Sequence, residues 1–310
     1  MNQKQRDGLA SGWSDSVLWN VDMAAYSTLR AGGRADALVD VQDLDELCNL
    51  LRRLEELQIN CRVIGRGSNV LVSEQGYSGV IIRLQGELNS VTRLDEENKS
   101  GNPVVIKAGA GCSMSLLVSW CTRHGLTGLE FMVGIPGSVG GAVWMNGGAW
   151  GHEIGERLQA IELVDYSGHL VVVPVSELKL SYRKLALKEG ELDNWIISSV
   201  TFALHPGREE QIRLRCEQYL ERRRGKQPTG VASAGSFFKN PPGDSAGRLI
   251  EAAGLKGVSC GKAMVSNVHA NFIVNTGRAT AADIVALMQQ VQDVVFQQFG
   301  VRLEPEVQIF

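Results

Sequence analysis

The chain has 310 residues, 44% of them hydrophobic, and its 31 Lys and Arg against 34 Asp and Glu give a formal net charge of −3. That length can bury two or three apolar cores, the balanced charge leaves no chain-wide basic field for nucleic acid, and no apolar run approaches the ~20 residues of a membrane span. Residues 1–20 lack the basic start, apolar middle and small-residue cleavage site of a secretion signal, so the expected compartment is the cytoplasm, with no membrane partner.

Asp43 with Glu46 three positions on predicts a helix over 43–58, with Leu44, Leu47, Leu50, Leu51, Leu54 and Leu57 on one face. Short β-branched runs predict strands at 61–64, 70–72, 80–84 and 104–108. A second helix is expected from Ser113 to Gly125, burying Leu116, Leu117 and Trp120, with His124 at its C-terminal end. Residues 161–165, the turn Tyr166-Ser167-Gly168 and residues 170–175 read as a hairpin, and 196–204 as one more strand. After His205-Pro206-Gly207, where we place a domain boundary, a charged stretch at 208–226 reads as a solvated helix face. A last helix opens on Thr280 with Asp283, carries Ile284, Leu287, Met288, Val291 and Val295 as a core stripe, and stops at Gly300. Residues 301–310 form an extended tail. The six cysteines contain no C-x-x-C pair and read as reduced, buried or half-buried thiols.

Glycine is the compositional excess, 35 residues or about 11% against roughly 7% in ordinary proteins. Gly65-Arg66-Gly67-Ser68-Asn69 sits between two apolar strands, where a tight turn would expose N–H groups to an anion. Alone it is equally a structural turn, because no third glycine opens a helix as in a Rossmann fingerprint. The cluster from Gly134 to Gly151 is more specific: seven glycines in eighteen residues are interleaved with Ile135, Pro136, Val139, Val143, Trp144 and Met145. That pattern suits an ordered segment wrapped on a ligand, and two anion-cradling loops suggest one extended cofactor containing a diphosphate.

Six strings occur in the order found in one family. They are Thr28-Leu-Arg-Ala-Gly-Gly-Arg-Ala-Asp36, Gly65-Arg-Gly-Ser-Asn69, Gly134-Ile-Pro-Gly-Ser-Val-Gly-Gly-Ala142, Ser181-Tyr-Arg183, Ala234-Gly-Ser-Phe-Phe-Lys-Asn-Pro241 and Leu303-Glu-Pro-Glu-Val307. From about Tyr26 to the C-terminus the chain resembles the UDP-N-acetylenolpyruvoylglucosamine reductase (MurB) family, and residues 134–142 are worded like its shorter type II branch. The resemblance implies an α+β chain: a two-lobed FAD-binding fold of the PCMH, or vanillyl-alcohol-oxidase-like, type plus a separate α+β substrate-binding domain. The expected division is 1–20 as an N-terminal extension, 21–88 and 89–206 as FAD lobes, 207–300 as substrate domain and 301–310 as a tail carrying a catalytic Glu.

The resemblance further implies non-covalently bound FAD, NADPH as co-substrate, and reduction of UDP-N-acetylglucosamine-enolpyruvate to UDP-N-acetylmuramate by what we expect to be a monomer. Cofactor contacts are implied for Gly65, Arg66, Gly67, Ser68, Asn69 and Val70, and for Gly134, Ile135, Pro136, Gly137, Ser138, Gly140, Gly141 and Ala142. Substrate contacts are implied for Tyr182, Arg183, Lys226, Lys239 and Asn240. Hydride addition to the vinyl carbon leaves enolate-like charge beside a carboxylate, which calls for a cation and then a proton. By the resemblance, Arg183 supplies the cation, Ser236 the proton, and Glu306 supports the intermediate. Alternation along the tail puts Glu304 and Glu306 on one face, so only the motif selects Glu306. Leu185 stands where relatives usually carry serine. His269, in the family string His269-Ala-Asn271-Phe272, reads as packing and not as a metal ligand. The alternatives are a flavin oxidase of the same fold, whose cofactor tether would fall to Cys112 or His152, and an inactive nucleotide-sugar binder.

Overall fold

The computed structural model describes residues 1–13, 16–94, 102–190 and 192–310. The chain forms two units, each assembled from three stretches: Met1–Leu18, Ala37–Gly65 and Gly79–Arg222 make the first, and Trp19–Asp36, Arg66–Ser78 and Arg223–Phe310 the second.

In the first unit, helix α1 (Gln3–Trp13) buries Leu9. It gives no periodic apolar signal, and its anchor is a close approach: a Cβ on Gly8 would stand 2.7 Å from a Leu57 methyl, while the Arg53 guanidinium donates to the Gly8 carbonyl at 3.0 and 3.1 Å. Helix α2 (Leu44–Glu56) starts as expected. The Asp43 carboxylate accepts the Glu46 N–H at 2.8 Å, the Glu46 carboxylate accepts the Gln42 N–H at 2.6 Å, and Leu47, Leu50, Leu51 and Leu54 are buried. Cys61–Val63 pairs in parallel with Val80, Ile81 and Ile82 of the strand Tyr77–Leu84, and those three consecutive residues are fully buried, as in a strand covered on both faces.

The larger sheet of this unit runs Leu170–Pro174, Leu158–Asp165, Trp195–Pro206, Val104–Gly109, Val91–Arg93, antiparallel throughout. Helix α3 (Met114–Arg123) is capped by Ser113, whose hydroxyl accepts the Leu116 N–H at 3.1 Å. Its buried residues are Met114, Leu117, Val118 and Cys121. Leu116 is 40% exposed and Trp120 half-buried, so the expected burial of Leu116 is corrected: it sits on the solvent side of a stripe set by Met114 and Leu117. The Trp120 ring instead stacks on His124 at 3.8 Å between centroids. Helix α4 (Val139–Trp144) lies inside the second glycine cluster, burying Val139 and Val143. Helix α5 (Glu209–Lys226) buries only Ile212 and Cys216, which makes the charged stretch a solvated face.

The second unit holds helices α6 (Ala246–Ala252) and α7 (Ala281–Phe299) with an antiparallel sheet ordered Ala232–Ser233, Ile273–Asn275, Ala263–Val265, Ser259–Cys260. Its core packs Leu29, Leu71, Phe237 and Phe238 with Ile284, Leu287, Met288, Val291 and Val295, the expected stripe of α7. Gln308–Ile309 of the tail pairs in parallel with Val70–Leu71. All six cysteines are free thiols, and burial pushes Cys61 and Cys121 up to about 12.

Thr280 and Asp283 cap α7 reciprocally: the Thr280 hydroxyl accepts the Asp283 N–H at 3.0 Å, and the Asp283 carboxylate accepts the Thr280 N–H at 3.0 Å. Those hydrogen bonds, the backbone one first, hold the Asp283 carboxyl below its usual value. Thr280→Ala should lower the unfolding free energy by about 1 kcal/mol at neutral pH. Because the folded carboxyl is depressed, the contribution of the Asp283 bond is present above the unfolded carboxyl range and is lost as pH falls through the folded value. Urea titrations at pH 7 and pH 3 should therefore show a smaller advantage of wild type over Asp283→Ala in acid; an equal advantage at both would contradict the reciprocal cap.

Candidate active site

The first glycine loop leaves the strand Cys61–Val63, and Gly65 lies against Ser138 of the second cluster, where a Cβ would overlap the Ser138 hydroxyl. Two loops 73 positions apart thus touch in one unit, with glycine as the residue that permits it. Ser138 is buried and its hydroxyl accepts the Gly141 N–H at 3.3 Å. The next amides are tied inward, Val139 N to Cys112 O at 2.8 Å and Gly140 N to Ala110 O at 2.9 Å. The N–H groups of Gly65, Gly134, Gly137 and Ser138 have no protein acceptor among the described residues. In the second unit the same holds for Arg66, Gly67 and Ser68. Gly67 is left-handed at φ 65, and a Cβ there would overlap the Tyr26 carbonyl, so the loop is fixed from behind while its donors stay available. Successive unpaired backbone donors suit an anion such as a diphosphate. Pro136, Gly134 and Gly141 are exposed and Ile135, Gly137, Gly140 and Ala142 half-buried, so the cluster is an ordered surface wall on a buried footing.

The segment that follows Ser236 pairs with the one that carries Glu306 in the second unit. Phe237, fully buried, accepts the Glu306 N–H on its carbonyl at 2.8 Å, Phe238 and Pro305 form a β-bridge, and Lys239 N donates to Glu304 O at 2.9 Å. The tail is therefore a short strand beside residues 237–239. On the other side Asn271, 3% exposed, donates its Nδ2 to Phe238 O at 2.8 Å and accepts the Phe238 N–H on Oδ1 at 2.9 Å. Ser236 thus sits half-buried at the start of a segment clamped on both edges, preceded by Gly235 at φ 77. Asn69 donates its side-chain amide to the Glu306 carbonyl at 2.9 Å, so the residue expected at the cofactor also holds the tail. Val70 lies in the strand that pairs with the tail.

Tyr182 and Arg183 form the turn between the strands Leu178–Ser181 and Lys184–Leu187 in the first unit. Arg183 is left-handed at φ 55, its guanidinium donates from Nη2 to the Gly148 carbonyl at 3.2 Å, and it lies 4.9 Å from the Tyr182 ring. Leu185 is buried in this hairpin, where an apolar side chain packs without needing the hydrogen bond that serine would require.

The substrate candidates have structural duties as well. Lys239 pairs with the exposed Glu304 at 3.1 Å, and the Asn240 Oδ1 accepts the Ala246 N–H at 3.0 Å at the start of α6. Lys226 is exposed at the end of α5. Glu304 and Glu306, equivalent by alternation, differ in environment: the Glu304 side chain is 74% exposed and Glu306 is half-buried. His269 packs edge-on to Phe272 at 5.0 Å, and burial first, with Lys256 adding to it, lowers its pKa. Cys112 is buried with its thiol pushed up to about 11, and His152 is exposed with Nδ1 3.2 Å from Glu156. The clamp residue Asn271 was quoted within a matching string without a role, because nothing in one sequence marks a buried amide facing a strand edge.

A bulged antiparallel sheet in one unit and glycine loops with unpaired amides fit an FAD-binding protein of the vanillyl-alcohol-oxidase-like fold. A family profile described as FAD binding domain matches residues 35–174, and one described as UDP-N-acetylenolpyruvoylglucosamine reductase, C-terminal domain, matches 227–310. The chain is 40% identical over 290 residues to a UDP-N-acetylenolpyruvoylglucosamine reductase of Caldanaerobacter subterraneus subsp. tengcongensis, covering 94% of this chain and 92% of that one. To that of Alkalilimnicola ehrlichii it is 44% identical over 289 residues, covering 93% and 92%. The crystal structure of the Thermus caldophilus reductase (MurB) superposes with a TM-score of 0.78 at 37% identity, covering 95% and 98% of the two chains. A glucose dehydrogenase, Phl p 4.0202, shares the fold alone, with a TM-score of 0.50 at 14% identity over 66% of this chain and 44% of that one. The chain belongs to the UDP-N-acetylenolpyruvoylglucosamine reductase family.

Truncating Asn271 to Ala would strand the Phe238 N–H and C=O in a buried setting. The expected loss is about 2–4 kcal/mol of unfolding free energy at ~1–2 kcal/mol per orphaned group, read by urea denaturation; a loss below 0.5 kcal/mol would mean the clamp is dispensable.

Proposed function

We infer that this protein is an FAD-dependent reductase that uses NADPH to convert UDP-N-acetylglucosamine-enolpyruvate to UDP-N-acetylmuramate, a peptidoglycan precursor. The observation that supports the reading is the hydrogen bond from Glu306 N to Phe237 O, which pairs the strand bearing the motif glutamate with the residue after the motif serine. Family membership adds the reaction class, since the relatives carry the reductase name. We propose further that it works in the cytoplasm as a monomer, that residues 21–88 and 89–206 are the cofactor lobes, and that 207–300 receives the substrate. No helix among the described residues is long and apolar enough to cross a membrane.

The amides of Gly65 to Ser68 and of Gly134, Gly137 and Ser138 would hold the FAD diphosphate, with Asn69, Val70, Ile135, Pro136, Gly140, Gly141 and Ala142 shaping the walls. Bound there, FAD supplies the redox chemistry, taking electrons from NADPH and giving a hydride to the vinyl carbon of the substrate. The chain's own work is charge and proton management. Arg183 holds the substrate carboxylate with its planar fork and opposes the negative charge that spreads into it as the double bond is lost. The Ser236 hydroxyl gives its proton to the carbon next to that carboxylate, a transfer that requires the enolate carbon to be more basic than an alkoxide and the Ser236 alkoxide left behind to regain a proton from water through a relay. Phe237 and Phe238 anchor the serine segment in the apolar core, which fixes where the hydroxyl is delivered. Glu306 serves as a proton-bearing or donor-orienting group beside the serine, because a bare carboxylate would oppose the charge it faces. Tyr182, Lys226, Lys239 and Asn240 are the proposed contacts to the nucleotide sugar; Lys239 would exchange Glu304 for a phosphate. With Cys112 buried as a high-pKa thiol, non-covalent FAD is the simpler arrangement.

Ser236→Ala protein should still be reduced by NADPH at the wild-type rate, while reoxidation by the enolpyruvyl substrate slows about 10²- to 10⁴-fold in stopped flow. Wild-type rates in both half-reactions would remove Ser236 from the proton step. Acid precipitation should leave the flavin in the supernatant; colour retained in the pellet would point to a tethered flavin and an oxidase.

A further inference from the structure

We propose that Asn146 is a positioning residue for Arg183: its buried amide pins the Tyr182-Arg183 turn to the small hairpin whose Gly148 carbonyl holds the guanidinium. The proposal rests on the assignment of Arg183 to the substrate carboxylate. Asn146 follows α4 at the end of the second glycine cluster, is 1% exposed, and has φ 43, a left-handed conformation that Asn enters more readily than most L residues. Its Nδ2 donates to Glu153 Oε2 at 2.6 Å and to the Ser181 carbonyl at 3.0 Å, and its Oδ1 accepts the Gly155 N–H at 3.1 Å. Both amide donors are thereby used, one of them on a carboxylate, which makes that bond the stronger kind.

The geometry around it is built for this contact. A Cβ on Gly155 would come 2.7 Å from Asn146 Oδ1 and 2.8 Å from a Leu180 methyl, so glycine there lets Leu180 and the adjoining Ser181 seat against the amide. Glu153 and Gly148 are cross-strand partners, so the carboxylate that grips Asn146 and the carbonyl that grips Arg183 belong to one two-stranded ladder. Two pins then join the same pair of hairpins: Asn146 to Ser181 O, and Arg183 to Gly148 O. The second uses the group that must engage the substrate; the first does not. When the guanidinium shifts toward a carboxylate, Asn146 still holds the turn, and with it the left-handed backbone of Arg183, in place.

The test uses the full-length, FAD-loaded protein. Asn146→Gly keeps the left-handed backbone and removes the amide; Asn146→Asp keeps the shape and sets a carboxylate against Glu153 and the Ser181 carbonyl; Glu153→Gln is a gentler third variant should either misfold. The first readout is calorimetric affinity for UDP-N-acetylmuramate relative to UDP-N-acetylglucosamine, which lacks the lactyl carboxylate. The second is the pair of half-reaction rates. Asn146→Gly should reduce the preference for the carboxylate-bearing sugar about tenfold and slow reoxidation by substrate about 10- to 100-fold, the scale of a misplaced reacting group. FAD content and reduction by NADPH should stay within about twofold. Combined with Arg183→Lys, it should add less than twofold to the loss that Arg183→Lys alone produces. Fully additive losses, or equal loss of FAD content and both half-reactions, would overturn the positioning role. An Arg183→Lys protein whose preference is undiminished would overturn the assignment of Arg183 itself, and this proposal with it.

Discussion

The C-terminal tail depends on backbone pairing on both of its edges. Gln308–Ile309 joins Val70–Leu71 as a parallel ladder, the Ser73 N–H reaches the Phe310 carbonyl at 2.6 Å, and Glu306 and Glu304 bond the backbones of Phe237 and Lys239. Five residues of tail thus link the end of the first glycine loop to the serine segment. A terminal segment is ordinarily the most mobile part of a domain; here Leu303 and Val307 are buried among the core residues of the unit, which supplies apolar burial between the polar contacts. The backbone of a glutamate on such a strand is placed by the ladder.

A different constraint governs the first unit. Its loops approach one another at backbone distance, which only glycine allows: Gly65 at Ser138, Gly140 at Ala110, Gly155 at Asn146 and Leu180. Each contact turns a flexible residue into a fixed one, because the backbone conformation is held by neighbours that a side chain would displace. The entropy lost in ordering glycine is offset by burial of Val139, Val143 and Ser138 beneath the exposed donors. Loops of this design are preorganised, with amides kept unpaired by the same packing that prevents them from turning inward.

Much of this was legible in the sequence. Asp43 and Thr280 announced helix starts because a cap is a local interaction written in two residues three positions apart, and the apolar stripe of α7 follows from its 3.6-residue period. The glycine spacing pointed to the two loops, and the family resemblance implied Arg183, Ser236 and Glu306. What escaped were properties that depend on distant chain segments. Leu116 and Leu117 are neighbours in sequence, and the face that meets the sheet decides which is buried. Helix α1 has one buried residue and is held by Arg53, forty-five positions from the carbonyl it contacts. The second duty of Lys239, an ion pair with Glu304, required knowing that the tail returns to it.

Four residues whose structural duties the sequence does not show share a chemistry. Asn69, Asn146, Asn271 and Asn275 each bond the main chain of an irregular segment, and Asn275 alone joins the Leu29 carbonyl at 2.9 Å to the N–H groups of Gly277 and Ala279 at 2.9 Å. Loops folded into an interior lose the regular ladders that satisfy N–H and C=O groups, and every such group must find another partner. A primary amide offers a donor and an acceptor at the spacing of a peptide, so it can replace one rung of a sheet, whereas an aspartate could only accept and would bring a charge to desolvate. That need makes Asp a poor substitute for the buried Asn146, Asn271 or Asn275 even though shape is conserved. It also explains why catalytic side chains carried on loops can be held as firmly as those on strands: the amides rebuild locally the hydrogen-bonding pattern that the glycine-rich chain gives up.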